Sequence, residues 1–225
     1  MRCFTRASIT GLVGVLSLAK SLAAPGELDL AFDPGALVSP PSNTQLTVQP
    51  DGKIILVGAF TALQETSRNR IARLNSDGSL DTSFLNALTG ADGGVFCVAL
   101  QTNSQILVGG DFSLVNNSPR ARIARLNGDG TLDASFLNGM AGINDWVESI
   151  RVQDDGKILV AGYFTSVNGL TRNFLARLNA DGSLDMSFLN NLGGANNPVF
   201  SLALQIDGKI LAGGSFTNIN GVARN

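Results

Sequence analysis

The stretch Gln205-Ile206-Asp207-Gly208-Lys209-Ile210-Leu211-Ala212-Gly213-Gly214-Ser215-Phe216 is written four times in this chain. It recurs as QDDGKILVAGYF at Gln153–Phe164, QTNSQILVGGDF at Gln101–Phe112 and QPDGKIILVGAF at Gln49–Phe60, the leading glutamines 52 residues apart each time. A second phrase keeps the same step: Leu80-Asp81-Thr82-Ser83-Phe84, Leu132-Asp133-Ala134-Ser135-Phe136 and Leu184-Asp185-Met186-Ser187-Phe188. A third does so too: Ala72-Arg73-Leu74-Asn75, Ala124-Arg125-Leu126-Asn127 and Ala176-Arg177-Leu178-Asn179. Three phrases holding one register define a tandem repeat. Leu28-Asp29-Leu30-Ala31-Phe32 is a degenerate copy of the second phrase within a Pro- and Gly-rich lead-in, residues 24–45.

Each unit reads as four short strands. In the last two units they are Val199–Leu204, Lys209–Phe216, Phe174–Asn179 and Ser183–Phe188. Asp-Gly pairs, such as Asp207-Gly208 and Asp181-Gly182, join them as hairpins. A two-residue turn of this kind needs positive φ at both central residues. The second strand is apolar on both faces, with Ile158, Val160, Gly162 and Phe164 on one and Leu159, Ala161 and Tyr163 on the other. A sheet with one face in water alternates apolar and polar. This strand is therefore expected to be buried on both sides, with glycine where sheets approach closely.

A four-stranded unit buried on both faces suits a β-propeller blade. The expected fold is all-β: a propeller-like array of four-stranded antiparallel blades with a 52-residue repeat, incomplete and open. The blades span 46–84, 95–136, 147–188 and 199–225, the last cut short. The cut, and the stray Leu28–Phe32 phrase that could complete a last blade, suggest a piece of a longer protein. A β-helix or β-roll with 26-residue rungs fits less well, because the halves of a unit match only at the Asp-Gly turn.

The phrases QxDGKILVGGxF and RNxxARLNxDGSLDxSF in tandem resemble the delta-60 repeat family of bacterial exported proteins. The likeness covers roughly residues 28–225. It implies a propeller-like array in secreted or surface proteins, and no particular activity. The chain departs from the pattern at Asn103-Ser104-Gln105, which stands where other units have Asp-Gly-Lys. A looser turn is expected there.

The N-terminus is of another kind. Arg2 and Arg6 precede the apolar run Ile9–Ala19, and small residues follow at Ser21, Ala23 and Ala24. This reads as a secretory signal peptide over residues 1–23. Its apolar run is too short to span a bilayer. Without Arg2, Arg6 and Lys20, the 16 basic residues become 13 against 18 acidic ones, a net charge of −5. An acidic exported chain is a poor partner for nucleic acid or anionic membranes. Proteins or glycans at the cell surface are the expected partners. Only Cys97 then remains, so no internal disulfide can form.

With no histidine in the chain, a Ser–His or Cys–His nucleophile is excluded. No catalytic residue is assigned. The enzyme alternative is a propeller hydrolase or lyase with carboxylates in a central channel. Asn179, Asp181 and Asp185 carry oxygen at alternate positions around a glycine and suggest a weak calcium site. Against it, the first position of such a loop falls on Arg177, and no Glu closes it. No cofactor is otherwise implied. Arg73, Arg125 and Arg177 are expected to pair with Asp81, Asp133 and Asp185 as structural devices, bidentate across a hairpin. Arg68, Arg120 and Arg172, with Arg224, are expected to form an exposed basic ring. Trp146, the only tryptophan, is the candidate ligand-stacking residue. Cys97 aligns with Ser149 and Ser201 and reads as packing. Other ligand contacts are expected in loops 62–67, 114–119 and 166–171 and around 144–146, on the view that repetition marks scaffold.

Overall fold

The computed structural model describes Phe32, the backbone of Leu37–Val38, residues 44–191 (backbone alone for 190 and 191) and residues 193–224. The expected signal peptide and the Leu28–Ala31 part of the stray phrase lie outside these residues. Phe32 packs with Leu56, Phe60 and Leu80 of the first unit, not on the last one.

The first unit contains Leu37–Val38 (β1), Gln45–Val48 (β2), Ile54–Val57 (β3), Ala62–Leu63 (β4), Thr66–Ser67 (β5) and Ile71–Leu74 (β6). The second has Val95–Leu100 (β7), Ile106–Gly110 (β8), Leu114–Val115 (β9), Ser118–Pro119 (β10) and Ile123–Leu126 (β11). The third has Val147–Val152 (β12), Ile158–Gly162 (β13), Ser166–Val167 (β14), Leu170–Thr171 (β15) and Leu175–Leu178 (β16). The fourth has Val199–Leu204 (β17), Ile210–Gly214 (β18), Asn218–Ile219 (β19) and Val222–Ala223 (β20).

The fold is all-β and propeller-like, an open array of antiparallel sheets stacked face to face. The main sheets run β2-β3-β6, β7-β8-β11, β12-β13-β16 and β17-β18. First strands pack on first strands, β2 on β7, β7 on β12 and β12 on β17. The two-sided burial of the second strand is realised. Ile158 and Val160 face the second unit, in one cluster with Leu107 and Ile123. Leu159 and Ala161 face the fourth, in another with Val199 and Leu202. Each interface is a buried, mainly apolar layer, the dominant favourable contribution to such a stack.

Three local expectations are corrected. The fourth strand is reduced to one bridge per unit: Leu74 to Leu80, Leu126 to Leu132 and Leu178 to Leu184. Just beyond it, Asp81 Oδ1 accepts hydrogen bonds from the Ser83 amide and hydroxyl, which turns the chain away from the ladder. In the hairpin turns, only the glycine of each Asp-Gly pair has positive φ, for example Gly156 at 79° and Gly182 at 91°. Gly156 N–H closes the turn on Gln153 C=O, and Gln153 N–H pairs with Lys157 C=O. This is the longer hairpin ending in a left-handed glycine, not the two-residue kind. Finally, Asn103-Ser104 is no looser. Ser104 takes φ 66°, and the same two backbone bonds form at 3.0 and 2.9 Å.

Candidate functional site

The first strand of units two to four carries a β-bulge, between Val95 and Cys97, Val147 and Ser149, and Val199 and Ser201. The bulged residues are Phe96, Glu148 and Phe200. Bulges re-aim side chains and interrupt the pairing. Glycine is required opposite. A Cβ on Gly162 would lie 2.0 Å from the Trp146 carbonyl oxygen, and one on Gly110 would lie 2.0 Å from that of Gly94.

Three slots meet at this end of each sheet: the residue before the strand, the bulge, and the residue after the glycine. They hold Gly94, Phe96 and Asp111 in the second unit. They hold Trp146, Glu148 and Tyr163 in the third, and Pro198, Phe200 and Ser215 in the fourth. The scaffold repeats, whereas the first and third of these slots differ in every unit and the second differs at Glu148. Their aromatic residues form one row across three units. Phe96 and Trp146 lie 5.9 Å apart at 73°, Trp146 and Tyr163 5.6 Å at 74°, and Tyr163 and Phe200 5.7 Å at 42°. Trp146, Tyr163 and Phe200 are 43%, 39% and 43% exposed. Contiguous exposed aromatics of this kind mark interaction surfaces.

Two carboxylates border the row. Burial, and then the nearby Asp111 charge, push the Glu148 carboxyl above its ordinary value. Asp111 Oδ1 is shut off from solvent without a hydrogen-bond partner. It lies close enough to Gly93 that a Cβ there would come within 2.7 Å of it. Among the described residues neither carboxylate belongs to an ion pair. Arg151, three residues beyond Glu148, gives its Nη1 to the Ile150 carbonyl.

Of the residues predicted from sequence, Trp146 stands at the centre of this surface. Arg68, Arg120 and Arg172 do not form an exposed ring. Arg172 is 4% exposed, and Arg68 and Arg120 are half-buried with Nε enclosed. Each bonds the carbonyl just before it, those of Ser67, Pro119 and Thr171. Only Arg224 of the set is exposed. Loops 114–119 and 166–171 carry scaffold bonds as well as exposed side chains, Leu114 and Leu170. Asn116 and Asn168 each brace two neighbouring turns, through Gly90 and Gly130 and through Gly142 and Gly182. Cys97 is buried, and burial raises its thiol far above the ordinary value.

The Arg–Asp pairs form in all three units. Nε of Arg73, Arg125 and Arg177 donates to Oδ2 of Asp81, Asp133 and Asp185 at 2.8 Å. The pairing uses one nitrogen and is not bidentate, because the fork faces elsewhere. Nη1 of Arg73 and Arg125 reaches the next unit, at the carbonyls of Gly128 and Ala180. Each guanidinium also lies over a phenylalanine, Phe84, Phe136 or Phe188, at 4.7, 4.8 and 4.8 Å. Lys53 and Lys157 add a second cation to Asp81 and Asp185. Gln105 takes that position on Asp133. The calcium alternative has little to work with here: Asp185 Oδ2 is held by Lys157 and Arg177, Asp185 Oδ1 and Asp181 Oδ1 by serines, and Asn179 Nδ2 binds Ser183. Among the described residues no metal-binding group of acidic and cysteine side chains occurs.

These pairs set an acid limit on stability. For Asp81 and Asp133, burial raises the carboxyl, but hydrogen bonds and cations outweigh it; Asp133 falls to about 2 and Asp81 lower. Asp185 is held low first by Lys157 and then by Ser187. A folded-state pKa below the unfolded one adds stability that is full above about pH 4 and lost as pH falls through the folded value. Glu148, raised by burial, acts in the opposite sense, one group against the three paired aspartates and the turn aspartates Asp92, Asp129 and Asp181, which are lowered too. Urea melts should give an even midpoint from pH 7 to about pH 4 and a steep fall below; a decline starting near pH 6 contradicts this reading.

Sequence reasoning missed Phe96, Glu148, Phe200, Tyr163 and Asp111 as a group. Part of the signal was present: the slots before the strand (Gly94, Trp146, Pro198) and after the glycine (Asp111, Tyr163, Ser215) change side-chain class between units, and the bulge slot breaks its phenylalanine only at Glu148. The bulge that aims them has no periodic signature of its own.

The fold and these repeats place the molecule in a class: tandem-repeat β-propeller proteins. More particularly, the chain belongs to the family described as "Domain of unknown function (DUF5122) beta-propeller", whose model matches residues 49–84, 101–136, 153–188 and 205–225, over half of the chain. A solved structure described as "a protein of unknown function from Bacteroides caccae" at 1.35 Å is similar at 13% identity, covering 65% of this chain and 68% of that one, with a TM-score of 0.29. Comparison with curated proteins gives no match.

Proposed function

We propose that this chain is an exported, cell-surface binding module of the delta-60 repeat type. It engages a protein or glycan partner through the aromatic row and performs no catalysis. The observation that carries the reading is the row itself. Its four rings come from three units, and the two central ones, Trp146 and Tyr163, sit at slots where the repeat is broken. Repeats supply stability, and exposed departures from them supply specificity. Half-exposed tryptophan and tyrosine at the centre of a patch are typical binding hot spots. The net charge of −5 without residues 1–23 argues against nucleic acid and anionic membrane as partners.

The test is retention of surface proteins and glycans by the immobilised chain. Trp146→Ala should weaken binding of any retained partner by about 30-fold, as loss of a hot spot of about 2 kcal/mol does. Unchanged retention by Trp146→Ala removes the aromatic row from the reading. A hydrolase reading draws on the neighbouring carboxylates Glu148 and Asp111, the first with a raised pKa suited to an acid. It ranks second because Asp111 Oδ1 is closed to solvent. New reducing ends after incubation with oligosaccharides, abolished by Glu148→Gln, would reverse that order.

A further inference from the structure

Inside the fold, one chemistry recurs three times. A guanidinium lies over a phenylalanine ring at 4.7–4.8 Å and gives Nε to a carboxylate at 2.8 Å. Ring and carboxylate together satisfy both aspects of arginine, its flat π-surface and its directional donors. At the surface the same two recognition elements occur side by side, with no arginine of the described residues paired to the carboxylates. The rings are Phe96, Trp146, Tyr163 and Phe200; the carboxylate offered to a ligand is Glu148, and Asp111, whose Oδ1 is closed to solvent, adds negative charge beside it. Phe96 and Asp111 both border Gly94, where a Cβ would lie 2.6 Å from Phe96 Cε1 and 3.2 Å from Asp111 Oδ1.

We propose that this surface recognises arginine side chains presented by a partner protein. The inference rests on the binding-module reading above and names its ligand chemistry. Three observations favour a guanidinium. First, neither Glu148 nor Asp111 is in a described ion pair, and the Arg122 guanidinium gives its Nη1 to the Asp111 and Phe112 carbonyls, not to a carboxylate. The described ion pairs engage Lys53, Arg73, Arg125, Lys157, Arg177 and Lys209 with other carboxylates. Two adjacent negative groups in a half-buried setting attract a cation, and one that is weakly hydrated costs least to bring there. Second, the rings are inclined at 73°, 74° and 42° to their neighbours. Rings so inclined are in direct contact with one another and turn their outer faces in different directions, so a single planar cation can stack on one face from outside the row. An extended glycan stacks better on rings that share a plane. Third, the acidic balance of the chain steers cationic segments toward it. Arginine is preferred to lysine because only the guanidinium can stack on a ring and fork onto a carboxylate at once.

Trp146 is the only tryptophan, so its fluorescence reports on this surface in the unmodified 225-residue chain. The probes are four peptides of one design carrying arginine, lysine, citrulline or glutamate, together with a neutral oligosaccharide and a chitosan oligomer. The arginine peptide should change Trp146 emission saturably and more weakly as salt is raised. Lysine should bind several-fold less tightly, and citrulline, the neutral isostere, about tenfold less or worse. Glu148→Gln should weaken the arginine peptide by about tenfold or more, with Asp111→Asn as a second variant should the first fail to fold. Equal binding of citrulline and arginine, or no effect in either carboxamide variant, overturns the arginine proposal and leaves the binding module standing. Response to the oligosaccharides alone does the same and turns the module toward glycans. Silence toward all six probes counts against both readings.

Discussion

Asp133→Ala should lower the unfolding free energy by about 3–5 kcal/mol, the cost of leaving a buried charge without its partner. The exposed cation is not the one at stake. Arg125 keeps only 9% of its side chain accessible, and its Nε is committed to Asp133. The remainder of the guanidinium is fixed as well, over Phe136 and against the Ala180 carbonyl of the following unit. It cannot turn out to water without breaking an inter-unit contact. Unit two is the most exposed to this loss, because Gln105, not lysine, supplies the second donor to its aspartate. In unit one, Lys53 joins Arg73 at Asp81. Urea unfolding followed by circular dichroism measures the effect. The double change Asp133→Leu with Arg125→Met should recover much of it, since apolar replacement of a buried pair is often neutral. A loss below about 1 kcal/mol for Asp133→Ala would place the pair among ordinary surface salt bridges and deny it the inter-unit role.

The Arg–Asp pairs were legible in the sequence because each is a local constraint repeated with fixed spacing. The two-sided core strand was legible for the same reason: Ile158 and Leu159 are apolar on opposite faces, and both are buried. What failed was competition between a ladder and a side chain. Ser183–Phe188 has a strand's composition, yet the Asp185 carboxylate takes the Ser187 amide and hydroxyl and ends the pairing at Leu184. Strand propensity counts residues and does not price that alternative. The arginines before the third strand were misplaced because position in a loop was equated with exposure. Arg172 is buried beside Met186, its Nη2 3.7 Å from that sulfur. The candidate surface was half legible. Trp146 stands out by composition. Phe96, Glu148 and Phe200 depend on a bulge, which is a register event between two strands and leaves no trace in one strand's pattern.

Phe164→Ala should cost about 3–5 kcal/mol, the usual loss for a phenylalanine removed from a closed core. Phe164 is fully buried, in the layer that joins the second and third units with Ile143, Val160, Val167 and Leu107. Its repeats Phe60 and Phe112 are fully buried as well, each in a different cluster. Phe216 occupies the same slot in the fourth unit but is only half-buried, against Ile210, Ala212 and Ile219. One slot thus offers an internal control in which residue type is constant and burial varies. Phe216→Ala should cost less than half as much, since a partly open site forfeits less transfer energy and relaxes more easily into the space left. Thermal or urea unfolding of both variants decides the matter. In a linear stack, stability is close to a sum of units and their interfaces. Phe164→Ala should therefore also loosen the second unit against the third, read as faster amide exchange in β8 and β12 than in β3. Equal costs at Phe164 and Phe216 would mean that the slot contributes through its own unit alone and that the layers between units contribute little. Such a result would also weaken the account of the aromatic row, whose four rings are held in line by those same layers.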